Sequence, residues 1–340
     1  MSPDESALAA RATAAAGDIV DISDTEIRGL DRETVRSLSQ RSDSRGLAQL
    51  AAHLALLAAA GWLVWLARGS VWLLVAIPLY GVVLNVLFCA LHESIHRTPF
   101  ATRWLNDAVA WLCGALLLLP PEYFRQFHYA HHRYTQDPRR DPELAQPSPD
   151  RLGIYLWRAT GIPNWRKRLT ITLRHALTGR VPEPFITAER RPGIVREARI
   201  LWTVYLSVFV VSLMWRSSAG LLFWIVPLVI GQPFLRLFLM AEHTGCPLSD
   251  EMFENTRTTY TNRAVRLLVW QMSYHVEHHA FPSVPFHALA NVNALVRPRI
   301  AIAAPGYVAV HKGLIAGYRN DRPRPAGGGL AGVAEQDRIC

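Results

Sequence analysis

Residues 71–96 of the 340-residue chain read VWLLVAIPLYGVVLNVLFCALHESIH. The first 21 of them, Val71–Leu91, carry no charge, and as a helix they would rise about 32 Å, enough to cross the hydrocarbon core of a bilayer. His92 and His96 follow at a spacing that places both imidazoles on one helix face. The stretch therefore predicts a transmembrane helix that ends in a pair of possible metal ligands.

Four further apolar stretches flank this helix, at Leu50–Ala67, Trp104–Pro121, Ile200–Trp215 and Ala219–Leu235. Trp104–Pro121 contains Asp107 and has the shortest apolar run, so we expect a re-entrant or interfacial helix there; the alternative is a tilted fifth span. The pattern predicts an all-α integral membrane protein with about four transmembrane helices and a helical cap on the cytosolic side.

The composition agrees with a membrane protein. Half of the residues are hydrophobic and 19% are charged, whereas a soluble domain usually carries about 25% charged residues. A net charge of +9 would suit nucleic acid or an anionic membrane surface, and the apolar stretches decide for the membrane, so no nucleic-acid partner is expected. The four cysteines have no paired spacing, which argues against cysteine-based metal or redox chemistry.

The distribution of basic residues predicts the orientation. With the N-terminus inside and four spans, the outer loops contain Arg68 and Arg216, and all the other Lys and Arg residues lie inside. We therefore expect a multi-pass protein with both termini on the cytoplasmic side. Residues 1–45 would form a polar cytosolic arm, residues 46–319 the membrane domain and residues 320–340 a disordered tail.

Eight of the thirteen histidines fall in three short windows, HESIH at 92–96, HYAHH at 128–132 and HVEHH at 275–279. Positions three and four apart share a helix face, and under the predicted topology all three windows lie on the inner side of the membrane. Imidazole is a common ligand of transition metals. Eight imidazoles exceed the four ligands of a tetrahedral zinc, so the pattern favours two ions of higher coordination number.

These three boxes, at these places relative to the spans, resemble those of the membrane fatty acid desaturases, a family that also includes hydroxylases; carotenoid ketolases carry related boxes. The resemblance runs from about residue 46 to about residue 310. Its most specific parts are HESIHR at 92–97, HYAHHRYTQDPRRDPEL at 128–144 and YHVEHHAFPSVPF at 274–286.

The resemblance implies two iron ions bound by the box histidines, which are His92, His96, His128, His131, His132, His275, His278 and His279. Family members often carry one more histidine between the last hairpin and the third box, and His243 is the candidate for this ninth ligand. Some members also have an asparagine four residues before it, where this chain has Leu239.

Carboxylates near the boxes are candidates to receive hydrogen bonds from ligand imidazoles: Glu93, Asp137, Asp141, Glu242 and Glu277. The alternative for the DPRRDPE run is a solvated charged loop. The remaining histidines are expected to be structural or solvated, with His175 in an Arg-rich loop: His53, His175, His287 and His311.

The resemblance further implies a reaction that uses O₂ as co-substrate and introduces a C=C bond into a fatty acyl chain. A hydroxylase or ketolase acting on a lipid, a carotenoid or a small metabolite is the alternative. No dinucleotide-binding fingerprint is present in the sequence, so the electrons would come from an external ferredoxin- or cytochrome-type carrier. The Arg-rich region 151–199 could dock such a carrier or anionic lipid headgroups.

Two other classes of protein fit part of the pattern. The HESIH window also fits the H-E-x-x-H signature of zinc proteases, with Glu93 as general base, but this interpretation leaves six clustered histidines unexplained. A metal transporter would place its ligands within the spans, whereas here the clusters lie at the ends of spans and beyond them.

Overall fold

The computed structural model describes residues 26–319, which fall into two units, the larger beginning at Leu38. The smaller unit contains the antiparallel strands β1 (Glu26–Ile27) and β2 (Leu30–Asp31) and most of helix α1 (Arg32–Leu38). Thr34 donates backbone and hydroxyl hydrogen bonds to the Asp31 carboxylate. Residues 1–25 of the predicted arm and the whole predicted tail lie outside the described residues, so the proposed domain limits stay predictions.

The larger unit consists of twelve further helices within the described residues, α2 (Asp43–Leu66), α3 (Leu73–His96), α4 (Arg103–Leu116), α5 (Pro121–Tyr134), α6 (Leu152–Ala159), α7 (Ile162–Thr178), α8 (Arg191–Met214), α9 (Val226–His243), α10 (Arg263–Leu268), α11 (His275–Ala280), α12 (Leu289–Val296) and α13 (Tyr307–Arg319). A π-helical segment, Leu221–Ile225, leads into α9. Strands β3 (Thr258–Thr259) and β4 (Ala303–Ala304) pair in parallel. The predicted Arg-rich loop is thus largely helical, because it contains α6, α7 and the start of α8.

Between residues 26 and 319, four helices are long and apolar enough to cross a membrane: Asp43–Leu66, Leu73–His96, Ala188–Met214 and Leu221–His243. The prediction of an all-α protein with about four spans is therefore confirmed. Large apolar side chains on these helices and the turns beside them are exposed, among them Trp72, Leu74, Leu206, Met214 and Trp215. Such a surface is stable only against lipid, and the protein is a multi-pass membrane protein.

The stretch Trp104–Pro121 forms nearly all of α4 and ends at the first residue of α5, and these two helices bend by 101° at the break between them. Pro120 and Pro121 cannot continue the α4 hydrogen-bond ladder, because proline lacks an N–H. Asp107 on α4 forms ion pairs with Arg97 and Arg125. The bend fits both the predicted re-entrant or interfacial helix and the alternative of a fifth span broken at the prolines.

Helix α3 is the centre of the bundle, since 61% of its membrane-spanning window is buried against 17–28% for the other three spans. Its contact with α9 is backbone to backbone. A Cβ on Gly81 would lie 3.1 Å from the Gly231 nitrogen and closer still to the Pro227 carbonyl oxygen. Asn85 Nδ2 bridges the two helices by donating to the carbonyls of Gly81 (2.8 Å) and Leu228 (3.1 Å). Small residues therefore permit the close approach, and a buried amide adds hydrogen bonds across it.

This contact positions histidines on two helices. His92 follows Gly81 by 11 residues and His243 follows Gly231 by 12, so both lie roughly 16–18 Å beyond the crossing along their own helices. Arg97, with φ of 59°, ends α3 directly after His96. The packing of α3 on α9 thus brings the first histidine box and His243 to one end of the bundle.

We predict that Gly81→Ala lowers the free energy of unfolding by about 1–3 kcal/mol, because the added methyl group has to separate α3 from α9. Gly153→Ala is the matched control, since nothing lies within 4 Å of a Cβ at that exposed helical position. Thermal unfolding of both variants in detergent checks this, and a Gly81→Ala protein that melts with the wild type would contradict the proposed contact.

Candidate metal centre

Four helices bring the histidines together. Helix α3 carries the first box and α5 carries the second. The third box lies on the six-residue helix α11, all of whose residues are buried, and His243 is the last residue of α9. The structure places all nine predicted ligands in one contiguous cluster. Their imidazoles fall into two groups, site A (His92, His96, His128, His132, His278) and site B (His131, His243, His275, His279).

Site A contains a closed ring of four Nε2 atoms. His92 Nε2 lies 2.7 Å from His278 Nε2 and 3.1 Å from His128 Nε2. His132 Nε2 lies 2.9 Å from His128 Nε2 and 3.1 Å from His278 Nε2. His96 contributes a fifth nitrogen, and the ligand nitrogens of site A all lie within 4.8 Å of one another.

In site B, too, the Nε2 atoms of the histidines face one another at about 3 Å. His243 Nε2 lies 3.2 Å from His131 Nε2 and 3.0 Å from His275 Nε2. His279 joins them, because it forms a group with His131 and His243 whose ligand nitrogens lie within 4.8 Å of one another.

A metal ion fits these nitrogens better than hydrogen bonds among them do. A neutral imidazole nitrogen either carries a proton and donates or carries a lone pair and accepts. In the ring of site A each nitrogen touches two others, but an N–H can point at only one of them, so the four contacts cannot all be hydrogen bonds. Four nitrogens at these separations can instead surround a central cation at about 2.1 Å, a usual metal–imidazole distance. The donor set therefore suits two transition-metal ions, one in each site.

The outer nitrogens of site B face oxygen atoms. Nδ1 of His131 lies 3.0 Å from Asp141 Oδ1, and Nδ1 of His279 lies 3.2 Å from the Thr135 hydroxyl. Nδ1 of His243 lies 3.4 Å from the Asn255 carbonyl oxygen. An imidazole that donates through Nδ1 keeps its Nε2 lone pair free, so these contacts favour the tautomer that binds a metal from inside the cluster.

The five candidate carboxylates divide by position. Asp141 bonds His131 directly, and Glu242 Oε1 lies 3.4 Å from His275 Nδ1. Glu93 is fully buried, and its Oε1 lies 3.9 Å from His278 Nδ1. Asp137 instead pairs with Arg140 at the surface. In the DPRRDPE run, Asp137 therefore belongs to a solvated loop, whereas Asp141 contacts a histidine of the cluster.

Glu277 does not support a histidine. Its carboxylate accepts hydrogen bonds from Thr258 Oγ1 (2.6 Å) and from the Asn293 side chain, and so attaches the third box to β3 and α12. Burial raises the pKa of Glu277, and the two hydrogen bonds oppose that rise.

Burial also lowers the pKa of the three α11 histidines, His275, His278 and His279, well below the ordinary value, and the neighbouring imidazoles lower it further. These side chains are therefore neutral near pH 7, which is the state that binds metal.

Sequence reasoning missed three groups that touch the cluster. Thr135 and Asn255 approach outer nitrogens of site B, and Glu143 Oε2 lies 3.2 Å from His131 Nδ1. Glu143 and Thr135 lie inside the quoted second motif, so its full length was the available signal. Asn255 has no such signal, because the loop after α9 brings it to the site.

The other four histidines bond elsewhere, as predicted for structural residues. His53 bonds the Val83 carbonyl and accepts from Trp270 Nε1, and His175 bonds Glu183. His287 contacts Arg45 (3.2 Å), and His311 contacts the Tyr155 hydroxyl (2.9 Å). The placement of His175 in a loop was wrong, because it is a buried residue of α7.

A cavity of about 250 Å³ opens onto both sites. Its wall includes His92 and His128 of site A and three histidines of site B, namely His131, His243 and His275. Apolar side chains from α3, α5 and α9 form much of the remaining wall, among them Phe88, Phe124, Phe127, Leu239 and Met240. Leu239, the residue four positions before His243, is thus a wall residue. An apolar chain can lie there beside the imidazoles with water excluded.

We predict that Asp141→Asn lowers metal affinity about 10- to 100-fold, because the carboxylate that orients His131 is lost. Asp137→Asn, four residues away and paired with Arg140 at the surface, should retain wild-type affinity. Metal per chain after dialysis against graded chelator, measured by mass spectrometry, checks this. Equal retention by the two variants would show that Asp141 does not support the site.

Comparison with known proteins agrees with the site. Residues 70–311 match the fatty acid desaturase family. Dihydrorhizobitoxine desaturase of Bradyrhizobium elkanii is 26% identical over 258 residues, which is 69% of each chain. Sphingolipid delta(4)-desaturase DES1 of Drosophila melanogaster is 25% identical over 232 residues, covering 66% of this chain and 67% of the fly protein. Sphingolipid delta(4)-desaturase/C4-monooxygenase DES2 of Mus musculus is 25% identical over 244 residues, which is 68% of each chain. Because the family match spans more than half of the chain and contains every box histidine, this protein belongs to the fatty acid desaturase family and is an oxidoreductase.

Proposed function

We propose that the chain is an oxygen-dependent desaturase with two iron ions, which introduces a C=C bond into a fatty acyl chain using electrons from an external carrier. The observation that carries this proposal is the pair of imidazole clusters beside an apolar cavity. The proposed ligands are the five histidines of site A and the four of site B.

The ligand set supports iron as the metal. The five imidazoles of site A exceed the four ligands of a structural zinc, and the nine together suit two ions that accept five or six ligands each. Neutral imidazoles leave the charge of the ions largely uncompensated. Glu242, Asp141 and Glu143 approach outer nitrogens rather than the centre of a cluster, so they orient ligands instead of neutralising the ions.

Removal of two hydrogens from unactivated carbons requires oxygen activated on a reduced metal, chemistry that a bound iron pair would supply. The residues of this chain do the rest. Phe88, Phe124 and Phe127 provide an apolar wall against which a hydrocarbon chain can be held beside His92 and His128. The same wall keeps water from the reacting carbons.

The names of the relatives support desaturation and also allow hydroxylation as a second reaction. Two of them are named desaturases only, and the mouse protein is named both a desaturase and a C4-monooxygenase. Hydroxylation of the same chain is therefore the alternative function, and the identity of the product distinguishes the two.

We expect a host that expresses the chain together with a ferredoxin and its reductase to accumulate a new unsaturated fatty acid, detected by gas chromatography–mass spectrometry. His279→Ala should abolish the product, because it removes one proposed ligand of site B. A new hydroxy acid would move the assignment to hydroxylase. An unchanged lipid profile from well-expressed, iron-loaded protein would contradict acyl-chain oxidation.

We also propose that the histidine cluster lies on the cytoplasmic side, as the distribution of basic residues favours. In intact cells a membrane-impermeant maleimide should then label Ser70→Cys, in the exposed turn between α2 and α3, and not Thr187→Cys, an exposed position before α8. Labelling in the reverse pattern would invert the topology.

A further inference from the structure

The cavity that opens onto the metal sites carries strong positive charge as well as apolar wall. Lys167 and Arg168 of α7 and Arg236 of α9 line it, together with Arg158 of α6 and the Asn164 amide. A pocket for a neutral hydrocarbon gains nothing from these cations, since removing each charge from water costs free energy.

These cations have no carboxylate partner in the part of the chain from residue 26 to 319. No Asp or Glu oxygen there lies within the 4.0 Å ion-pair distance of Lys167, Arg168 or Arg236. The two acids in the cavity wall are turned toward histidines, because Glu143 contacts His131 and Glu242 contacts His275.

Donor atoms at this place remain unused. Arg236 Nη1 lies 3.3 Å from Asn164 Oδ1, but Arg236 Nε and Asn164 Nδ2 are buried without a hydrogen-bond partner among the described residues. Arg168 Nη1 donates to the Leu117 carbonyl (3.0 Å) and so holds its guanidinium at the cavity. Buried donors are normally satisfied, so these donors in the cavity wall are available to an acceptor that enters the cavity.

The backbone is shaped to bring these groups together. Gly161, with φ of +74°, precedes α7, and a Cβ there would lie 3.3 Å from Gln232 Cβ and 3.6 Å from Arg236 Cγ. The start of α7 therefore packs directly on α9. Arg236 lies within the membrane-spanning segment Leu221–His243, where an arginine is rare and usually functional.

The like charges also act on one another. Burial lowers the pKa of Arg168 to about 9, and the nearby charge of Arg236 contributes to that shift. An anion placed between the two guanidinium groups would relieve this repulsion and accept their unused hydrogen bonds.

We propose that Lys167, Arg168 and Arg236 bind an anionic headgroup of the substrate, a carboxylate or a phosphate, and thereby select a charged acyl compound over a neutral lipid. This inference rests on the proposed function, since it assumes that the cavity holds the chain to be oxidised. Arg236 precedes His243 by seven residues of α9, about 10 Å along the helix, so the oxidised carbons lie near the charged end of the substrate.

The test compares four probes that share a 16-carbon chain: hexadecanoate, hexadecyl phosphate, hexadecanol and N-hexadecanoyl sphinganine. Full-length protein in phosphatidylcholine nanodiscs is titrated with each, and the dissociation constant is taken from the rise in melting temperature. We expect at least one anion to bind at least tenfold more tightly than both neutral probes. A preference for hexadecanoate or for hexadecyl phosphate identifies which anion the site takes.

Lys167→Met and Arg236→Met should each reduce this preference about tenfold or more, because each removes a charged hydrogen-bond donor. Arg236→Lys should retain part of it. Arg166→Met is the matched control, since Arg166 is an exposed residue of the same helix that does not line the cavity, and it should retain the wild-type preference.

The inference is overturned if a neutral probe binds as tightly as both anions, or if the variants keep the full preference. Lipid oxidation in the expressing host is scored separately. Oxidation without anion preference would refute the headgroup site and leave the proposed function intact. Anion preference in a protein that oxidises no acyl chain would refute the proposed function and leave the anion site intact.

Discussion

Buried imidazole nitrogens that face one another at about 3 Å are the constraint on which the rest of the structure depends. Neutral imidazoles at such distances cannot satisfy all their N–H groups and lone pairs among themselves, so the donor set suits bound cations. The outer contacts follow from this. Asp141, Thr135 and the Asn255 carbonyl accept from Nδ1 atoms and turn the opposite nitrogens inward. Glu277 attaches the third box to its surroundings.

The packing of the membrane helices also brings the histidines together. The glycine contact between α3 and α9 aligns two spans so that His92 and His243 emerge together, and the bend between α4 and α5 brings the second box beside them. The cavity lies among these helices, with aromatic wall near the imidazoles and three cations where α7 packs on α9. One set of helix contacts therefore positions both the histidine cluster and the cavity beside it.

Much of this architecture could be predicted from local sequence, because hydropathy and histidine spacing are local properties. The four spans, the unusual Trp104–Pro121 stretch and the eight box histidines are all visible in this way, whereas His243 was identified only through the family resemblance. Features that depend on contacts between distant segments were not. Asp137 and Asp141 look alike in sequence, yet only Asp141 reaches a histidine. The cationic wall joins α7 to α9 across about seventy residues of sequence, and no periodicity signals that contact.

X-ray absorption at the iron edge of the purified full-length chain tests the central claim most directly. The account predicts two irons per chain, each with a first coordination shell dominated by imidazole nitrogen at about 2.1 Å, as the spacing of the ring nitrogens in site A requires. A single metal per chain, or a first shell dominated by sulfur or by carboxylate oxygen, would contradict it.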